Sequence, residues 1–315
     1  MADNRVNGCF LLTVFGLALL PLICGADTWH YPKPKPDGTV GNPEHWGGSC
    51  DTGRRQSPID LNMKAAVKGA YPQFVFDNYD QVMRNASLVN NGHTIQVYAG
   101  EVSASVYGGG LRNKYILEQF HFHWSSEHTI ADQRYALEVH LVHRNSKYAS
   151  LTDAAAEKGG VAVLAVLFHV DEQPNDAIKT ILDVVTPVKD KVNDYVRLAE
   201  IFTLENLLPK SRSQYFRYEG SLTTPLCAES VVWTIFPESL PVSLAQLEEF
   251  KTIRDGEHEE LVLNYRPVQP LNARALVWVS DTEQRADGGS SFLRANSISM
   301  TAGLLLSIVI CYFRT

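Results

Sequence analysis

The six residues Gln119-Phe120-His121-Phe122-His123-Trp124 carry the densest chemistry in the chain. In an extended strand successive side chains point to opposite faces. Gln119, His121 and His123 therefore share one face, and Phe120, Phe122 and Trp124 the other. The segment Glu138-Val139-His140-Leu141-Val142-His143 puts Glu138, His140 and Val142 on one face by the same rule. Where these two faces meet on neighbouring strands, three imidazoles converge. Three neutral histidines with an open fourth position form the ligand set of a catalytic zinc ion, whereas closed structural sites take four ligands and favour cysteine. Each ligating imidazole also needs a partner on its other nitrogen to set tautomer and orientation. Gln119 is placed to serve His121 and Glu138 to serve His140, while His123 has no side-chain partner in view and needs a backbone carbonyl. A His-x-His pair alone is more often two half-buried imidazoles. A third histidine with an acid on its face tips the reading towards a metal.

Strands must position these groups, and much of the chain reads as short strands separated by turn residues. The pattern predicts strands over 73–76, 94–98, 102–106, 115–124, 135–143, 161–170, 231–236 and 275–278. It predicts helices over 176–185 and 244–253, the second opened by a Ser243/Gln246 capping box. No internal repeat or Gly/Ser linker divides the middle. The expectation is one mainly β (α+β) domain with short peripheral helices, not a doubly wound sheet.

The 315 residues suffice for one large domain or two average ones, and 45% hydrophobic against 20% charged residues excludes wholesale disorder. With 28 Lys+Arg against 35 Asp+Glu the net charge is −7 and no basic run occurs, which excludes nucleic-acid binding as the main role. Both ends read as address labels. Arg5, an apolar run over 9–22 and Cys24-Gly25-Ala26 have the order of a secretory signal peptide, expected over 1–26. The small residues Asp287-Gly288-Gly289-Ser290-Ser291, a polar spacer and an apolar tail over 300–313 resemble a GPI-attachment signal over 287–315. Attachment falls at Gly288, Gly289 or Ser290, with Ser290 chosen, and a single C-terminal transmembrane segment is the alternative. The expected body is residues 27–286. It keeps only Cys50 and Cys227 of the five cysteines, which most simply form one disulfide in an oxidising compartment, two free thiols being the alternative. Asn85-Ala86-Ser87 is an N-glycosylation sequon.

These motifs stand among others: Pro43-Glu44-His45-Trp46, Arg55-Gln56-Ser57-Pro58-Ile59, Asn90-Asn91-Gly92-His93, Glu127-His128-Thr129, Gly220-Ser221-Leu222-Thr223-Thr224-Pro225 and Asn264-Tyr265-Arg266-Pro267. Together they resemble the α-class carbonic anhydrases from about Trp29 to Trp278, and more narrowly the secreted, GPI-anchored members. The resemblance implies a single domain on a large twisted, mostly antiparallel sheet with a conical active-site cleft. It implies reversible hydration of CO2 to bicarbonate and a proton through zinc-bound hydroxide, with Zn2+ on His121, His123 and His140. In that reading Thr223 takes the hydroxide's hydrogen bond and passes its own to Glu127, and Thr224 contacts bicarbonate. Val142, Val161, Val163, Leu222 and Trp233 form the apolar wall for CO2. His93 is the proton shuttle, with Asn91, Gln96 and Tyr31 ordering the water chain to it, and Asn264 belongs to the supporting layer with Gln119 and Glu138. Cys50 and Cys227 match the disulfide of extracellular members.

Sulfonamide and anion inhibitors are implied as ligands, ion transporters as partners, and the extracellular face of the plasma membrane as location. His128 and His143 are read as structural neighbours of the site, and His30, His45, His169 and His258 as surface or satisfied residues. Two departures stand out: the link from Trp124 to Glu127 is only Ser125-Ser126, and Arg144 takes a position where relatives often carry an aromatic. The alternative function is a catalytically silent carbonic-anhydrase-like cell-surface binding module. Retention of the whole implied catalytic set argues against it.

Overall fold

Residues 161–168 form an unbroken apolar run, the composition of a strand covered on both faces. The structure, a computed structural model, describes residues 29–33, 43, 46–198 and 202–280. In chain order its strands are β1 (Asp60–Leu61), β2 (Val67–Gly69), β3 (Val75–Asp77), β4 (Ser87–Asn90), β5 (Ile95–Tyr98), β6 (Ser105–Gly108), β7 (Leu111–Trp124), β8 (Thr129–Ile130), β9 (Gln133–Arg134), β10 (Leu137–Asn145), β11 (Val161–Asp171), β12 (Tyr195–Arg197), β13 (Tyr215–Gly220), β14 (Val231–Ser243) and β15 (Val277–Val279). The α-helices are short: α1 (Ser49–Thr52), α2 (Leu151–Ala155), α3 (Asp176–Leu182) and α4 (Leu244–Lys251). The expected signal peptide, His45 and the attachment segment with Ser290 lie outside the described residues.

Twelve strands make one sheet, in the order β12-β4-β5-β7-β10-β11-β14-β13-β15-β2, with β6 beside β7 and β3 beside β6. Only β11–β14 and β15–β2 pair in parallel within it, so the sheet is mostly antiparallel as expected. Its two faces carry separate cores. Phe120, Phe122, Trp124, Val139, Leu141, Leu164 and Val166 pack on one face with α3 and α4. Val142, Val163, Ala165, Phe216 and Trp233 pack on the other. The metal-ligand candidates project on this second face.

Each predicted strand is present with shifted ends, and both helices form where expected. Ser243 and Gln246 close the predicted capping box on α4. β14 runs past Phe236 to Ser243 despite Pro237 and Pro241. β13 pairs it only as far as Ile235, so both prolines fall where one edge of the strand needs no N–H donor. The pattern does not reveal β4 or β13, since β4 has four residues and β13 mixes Arg217 and Glu219 into a buried strand. A bulge where Val142/His143 faces β7 skips Glu118, so alternation reverses and Leu117 joins Phe120 on the same core face.

That bulge seats His143 in the interior. Its Nδ1 lies 3.2 Å from Ala162 O, and its Nε2 meets the Tyr79 hydroxyl. Burial pushes the imidazole from 6.5 down to about 4. An unfolded chain takes up a proton as pH falls from 6.5 to about 4 and the native one refuses it, so the stability is full above 6.5 and is lost through that window. The loss is about 3 kcal/mol. His143→Leu is expected to lower stability at pH 7.5 but to flatten its fall towards pH 4.5 by that amount in urea titrations. An unchanged pH slope would remove His143 from the acid response.

Candidate metal centre

β7 and β10 pair antiparallel in the register that brings the two histidine faces together: His121 faces His140, His123 faces Glu138, and Gln119 faces Val142. Each pairing follows from strand alternation once the register is set. A ligand atom from each of His121, His123 and His140 lies within 4.8 Å of the others. The three rings have centroids 4.6–5.2 Å apart.

Each ring is held by its other nitrogen. His121 Nδ1 lies 2.9 Å from Gln119 Oε1, and His140 Nε2 lies 2.7 Å from Glu138 Oε1, as the spacing predicts. His123 Nδ1 lies 2.7 Å from the Asn264 carbonyl, the backbone partner it needed. Asn264 also accepts from Trp124 N at 2.8 Å and donates to Phe122 O at 2.9 Å and His93 O at 3.1 Å, tying the end of β7 to the turn before β5.

Glu138 is the most heavily used acceptor. One oxygen meets His140 Nε2 and His128 Nδ1 at 2.7 Å; the other accepts from the backbone N–H of Glu127 and of His128 at 2.8 Å. Burial acts to raise this carboxyl, but the interactions and hydrogen bonds with the His128 and His140 rings override it and hold Glu138 well below the usual carboxylate range. His128 Nε2 in turn meets Tyr218 Oη at 2.7 Å, which confirms it as a structural neighbour.

The free nitrogens, Nε2 of His121 and His123 and Nδ1 of His140, are the ones left to face a metal. Burial, then the neighbouring imidazoles, hold His121 well below its ordinary value, and burial also lowers His123. Both are neutral near pH 7, as ligands must be. His123 Nε2 is buried with no hydrogen-bond partner. Such an orphan is costly in a protein interior, and a cation shared with the two other imidazoles resolves it. The donor set of three neutral imidazoles fits zinc with a position left open.

Glu127 is fully buried behind the cluster. Its Oε1 accepts from Arg266 N at 2.8 Å; its Oε2 has no hydrogen-bond partner and lies 3.6 Å from His123 Nε2. Thr223 makes no hydrogen bond to that oxygen, so the Thr223–Glu127 hydrogen bond that the family resemblance implies is not formed here. The two-residue Ser125-Ser126 link does not close a hairpin onto β10. β8 and β9 intervene, joined through Ala131 and Asp132 with φ of 49° and 64°, and Ser126 N donates to Tyr135 O at 2.9 Å. Arg144 pairs its Nε with Glu118 Oε1 at 2.6 Å beside the bulge.

The cluster opens into a cavity of about 260 Å³. Val142, Val163, Leu222 and Trp233 give it an apolar wall, and Thr223 and Thr224 lie on its rim of polar groups. Val161, expected on that wall, is buried on the same face of β11 but two positions along the strand from Val163, and does not line the cavity. Gln119, Asn91, Gln96, Tyr31 and His93 also line it.

His93 leaves a tight turn that Gly92 makes possible with φ +84°; Asn91 Oδ1 accepts from His93 N at 3.0 Å and Thr94 N at 2.9 Å. Asn91 Nδ2 donates to Gln96 at 3.3 Å. The His93 ring stacks on Trp29 with centroids 3.7 Å apart. Burial, aided by the charge of His30, pushes it from 6.5 down to about 4. Tyr31 is buried beside Trp29 and Trp46, and burial, then Glu127, raises its hydroxyl well above the ordinary range.

The loop carrying Thr223 and Thr224 is tied down at several points. Cys227 is bonded to Cys50 across 177 residues of sequence, adopts φ 50° and donates its N–H to Thr224 O at 2.9 Å. Closing a loop of that length contributes on the order of 4–5 kcal/mol in the chain-entropy account. Trp233 Nε1 donates to Ser221 O at 3.0 Å. The sequence reading missed the hub beneath this loop. Buried Arg266 donates to Cys50 O and Gln56 Oε1 at 2.8 Å and to Ser57 O at 2.9 Å, besides its backbone bond to Glu127. Its only signal was its place in the motif Asn264-Tyr265-Arg266-Pro267. His169 and His258 lie at the surface, and His30 is half-buried.

The sequence profile of eukaryotic-type carbonic anhydrase matches residues 41–280. The chain is 32% identical over 289 residues to carbonic anhydrase 15 of Mus musculus, covering 85% of this chain and 88% of that one. It is 31% identical over 286 residues to carbonic anhydrase 4 of Rattus norvegicus, covering 84% and 88%.

Proposed function

The chain belongs to the eukaryotic-type carbonic anhydrase family, and from that premise we propose that it hydrates CO2 reversibly to bicarbonate and a proton with one zinc ion held by His121, His123 and His140. The observation that carries this reading is the convergence of three imidazoles, each engaged through its other nitrogen, at the base of a cavity with one apolar wall. What zinc supplies at such a site is Lewis-acid activation of water near neutral pH, the effect for which this enzyme family is the usual worked example.

The chain's own residues do the rest. Val142, Val163, Leu222 and Trp233 hold an uncharged, apolar gas beside the metal position, with Val161 filling the space behind. Thr223 orients the attacking oxygen, and Glu127 Oε2, left without a donor in this structure, is the acceptor proposed for its hydroxyl. Thr224 contacts bicarbonate. His93 carries the product proton outward once its ring leaves the Trp29 stack, since burial there holds it at about 4, too low to take up a proton at neutral pH. Asn91, Gln96 and Tyr31 order water between it and the centre. The same cavity suits sulfonamide and anion inhibitors. Disulfide formation between Cys50 and Cys227 supports an oxidising compartment, and Asn85 is exposed, as a glycan acceptor must be. We therefore assign the protein to the extracellular face of the plasma membrane, after removal of a signal over 1–26 and attachment of a GPI anchor near Ser290. Ion transporters are its proposed partners.

Stopped-flow CO2 hydration with zinc counted on the same purified sample tests the reading. Fast hydration at one zinc per chain is the expected result. A folded protein holding zinc without hydrating CO2 would leave the silent binding module as the function. In the same assay His93→Ala is expected to slow turnover by roughly the 10²-fold at the lower end of proton-transfer catalysis, with imidazole buffers restoring it. Equal rates for wild type and His93→Ala in every buffer would end the shuttle role.

A further inference from the structure

A second cavity, of about 680 Å³, opens beside β13 and β15 and shares no lining residue with the first. Its cations are Arg55, Arg112, Lys147, Lys158, Arg217 and Arg274, and Glu219 is its one carboxylate. The chain as a whole carries −7, so this concentration opposes the average charge. No basic run announces it because the six residues come from six separate segments.

Arg217 is the informative member. It is only 5% exposed, yet among the described residues no carboxylate pairs with it. Its Nε and Nη2 both donate to Thr234 Oγ1, at 3.2 and 2.9 Å, and its guanidinium lies over the rings of Tyr71, Phe74 and Tyr215 at 5.5–5.7 Å. Buried arginines are ordinarily paired with an anion. Glu219 cannot serve, since it already bridges Arg55 and Lys158. Arg112 and Lys147 likewise have no carboxylate partner among the described residues. Arg274 donates only to the carbonyls of Pro270, Leu271 and Glu219. Four cations thus face one cavity without counter-ions among the described residues, and three of them carry the planar fork that suits tetrahedral oxyanions.

We propose that this cavity binds a polyvalent oxyanion of the phosphate- or sulfate-ester class. Its place away from the CO2 cleft lets such a ligand bind alongside turnover. Two sources share this chemistry, a free polyanion and the sulfate-ester headgroup of an outer-leaflet sulfatide.

Isothermal titration of the purified protein with inositol hexakisphosphate tests the site. Wild type is expected to bind, and the pair Arg112→Gln/Lys147→Gln to weaken the Kd about ten-fold or more while CO2 hydration stays unchanged. Arg217→Met is expected to weaken it further. Because that variant removes a buried group and can fail to fold, the exposed pair decides the matter. Equal affinity in wild type and the pair, or no binding by wild type, overturns the proposal. Phosphatidylcholine vesicles with and without sulfatide separate the sources. Sedimentation with the charged vesicles that the pair abolishes assigns the headgroup, and binding of the hexakisphosphate alone assigns a free ligand.

Discussion

His140→Ala is expected to lose stoichiometric zinc and CO2 hydration together. The ring supplies one of the three nitrogens of the cluster, from the strand that faces the other two. Two imidazoles on β7 leave an incomplete set, and zinc affinity should fall by more than the 10- to 100-fold that loss of an outer partner costs. The Lewis acid contributes several kcal/mol, so hydration should fall by on the order of 10³-fold or more. Zinc measured by mass spectrometry after exhaustive dialysis, beside stopped-flow rates, reads both. Chelation of the wild type should abolish turnover and added zinc restore it. A variant that kept one zinc per chain and wild-type turnover would mean that the ligand set is wrong.

Glu138→Ala should be the most damaging change that touches no metal. The carboxylate is fully buried and accepts from two imidazoles and two backbone N–H groups. Its removal frees the His140 ring, which should weaken zinc about 10- to 100-fold. It also strands buried donors, at about 3–5 kcal/mol of stability, the usual cost of breaking a buried charged pair. The two effects separate experimentally: chelator competition reads the metal, and urea unfolding of the metal-free protein reads the stability. Glu138→Gln, which keeps the shape but turns one acceptor into a donor, should fall between. If metal-free Glu138→Ala unfolded at the wild-type urea midpoint, the carboxylate would have no structural role; unchanged zinc affinity would remove it as an orienting group.

What could be read along the chain was whatever strand geometry repeats. Period-two alternation put His121 with His123 and Gln119, and His140 with Glu138, and the same rule assigned two of the three outer partners. It also left His123 in need of a carbonyl. Which carbonyl was not legible, because Asn264 lies 141 residues away and only the closed fold brings it to the ring. Arg266 was invisible for the same reason. Nothing local distinguishes a buried hub from a surface arginine, and its partners Cys50, Gln56 and Ser57 are more than two hundred residues distant.

Alternation itself has limits that the fold exposes. It assumes an unbroken ladder, and the skip at Glu118 reverses it, sending Leu117 to the face of Phe120. It assigns Val161 to the face of Val163, correctly, but the cavity ends before Val161 is reached. Short strands such as β4 escape it, since four residues hold too few periods to stand out. The turn residues fared better where chemistry is local: the Ser243/Gln246 box caps α4 as its spacing requires.

The sequence by itself therefore determined the chemical types, the face on which each candidate ligand projects, the mainly β class and the family. Those are properties of residues a few positions apart, governed by backbone geometry that every strand shares. The tertiary structure decided the register of β7 against β10, the carbonyl that holds His123, the partner-free oxygen of Glu127 and the gathering of five other cations around Arg217. Each of these depends on which distant segments become neighbours, and that is settled only when the whole sheet closes its two cores.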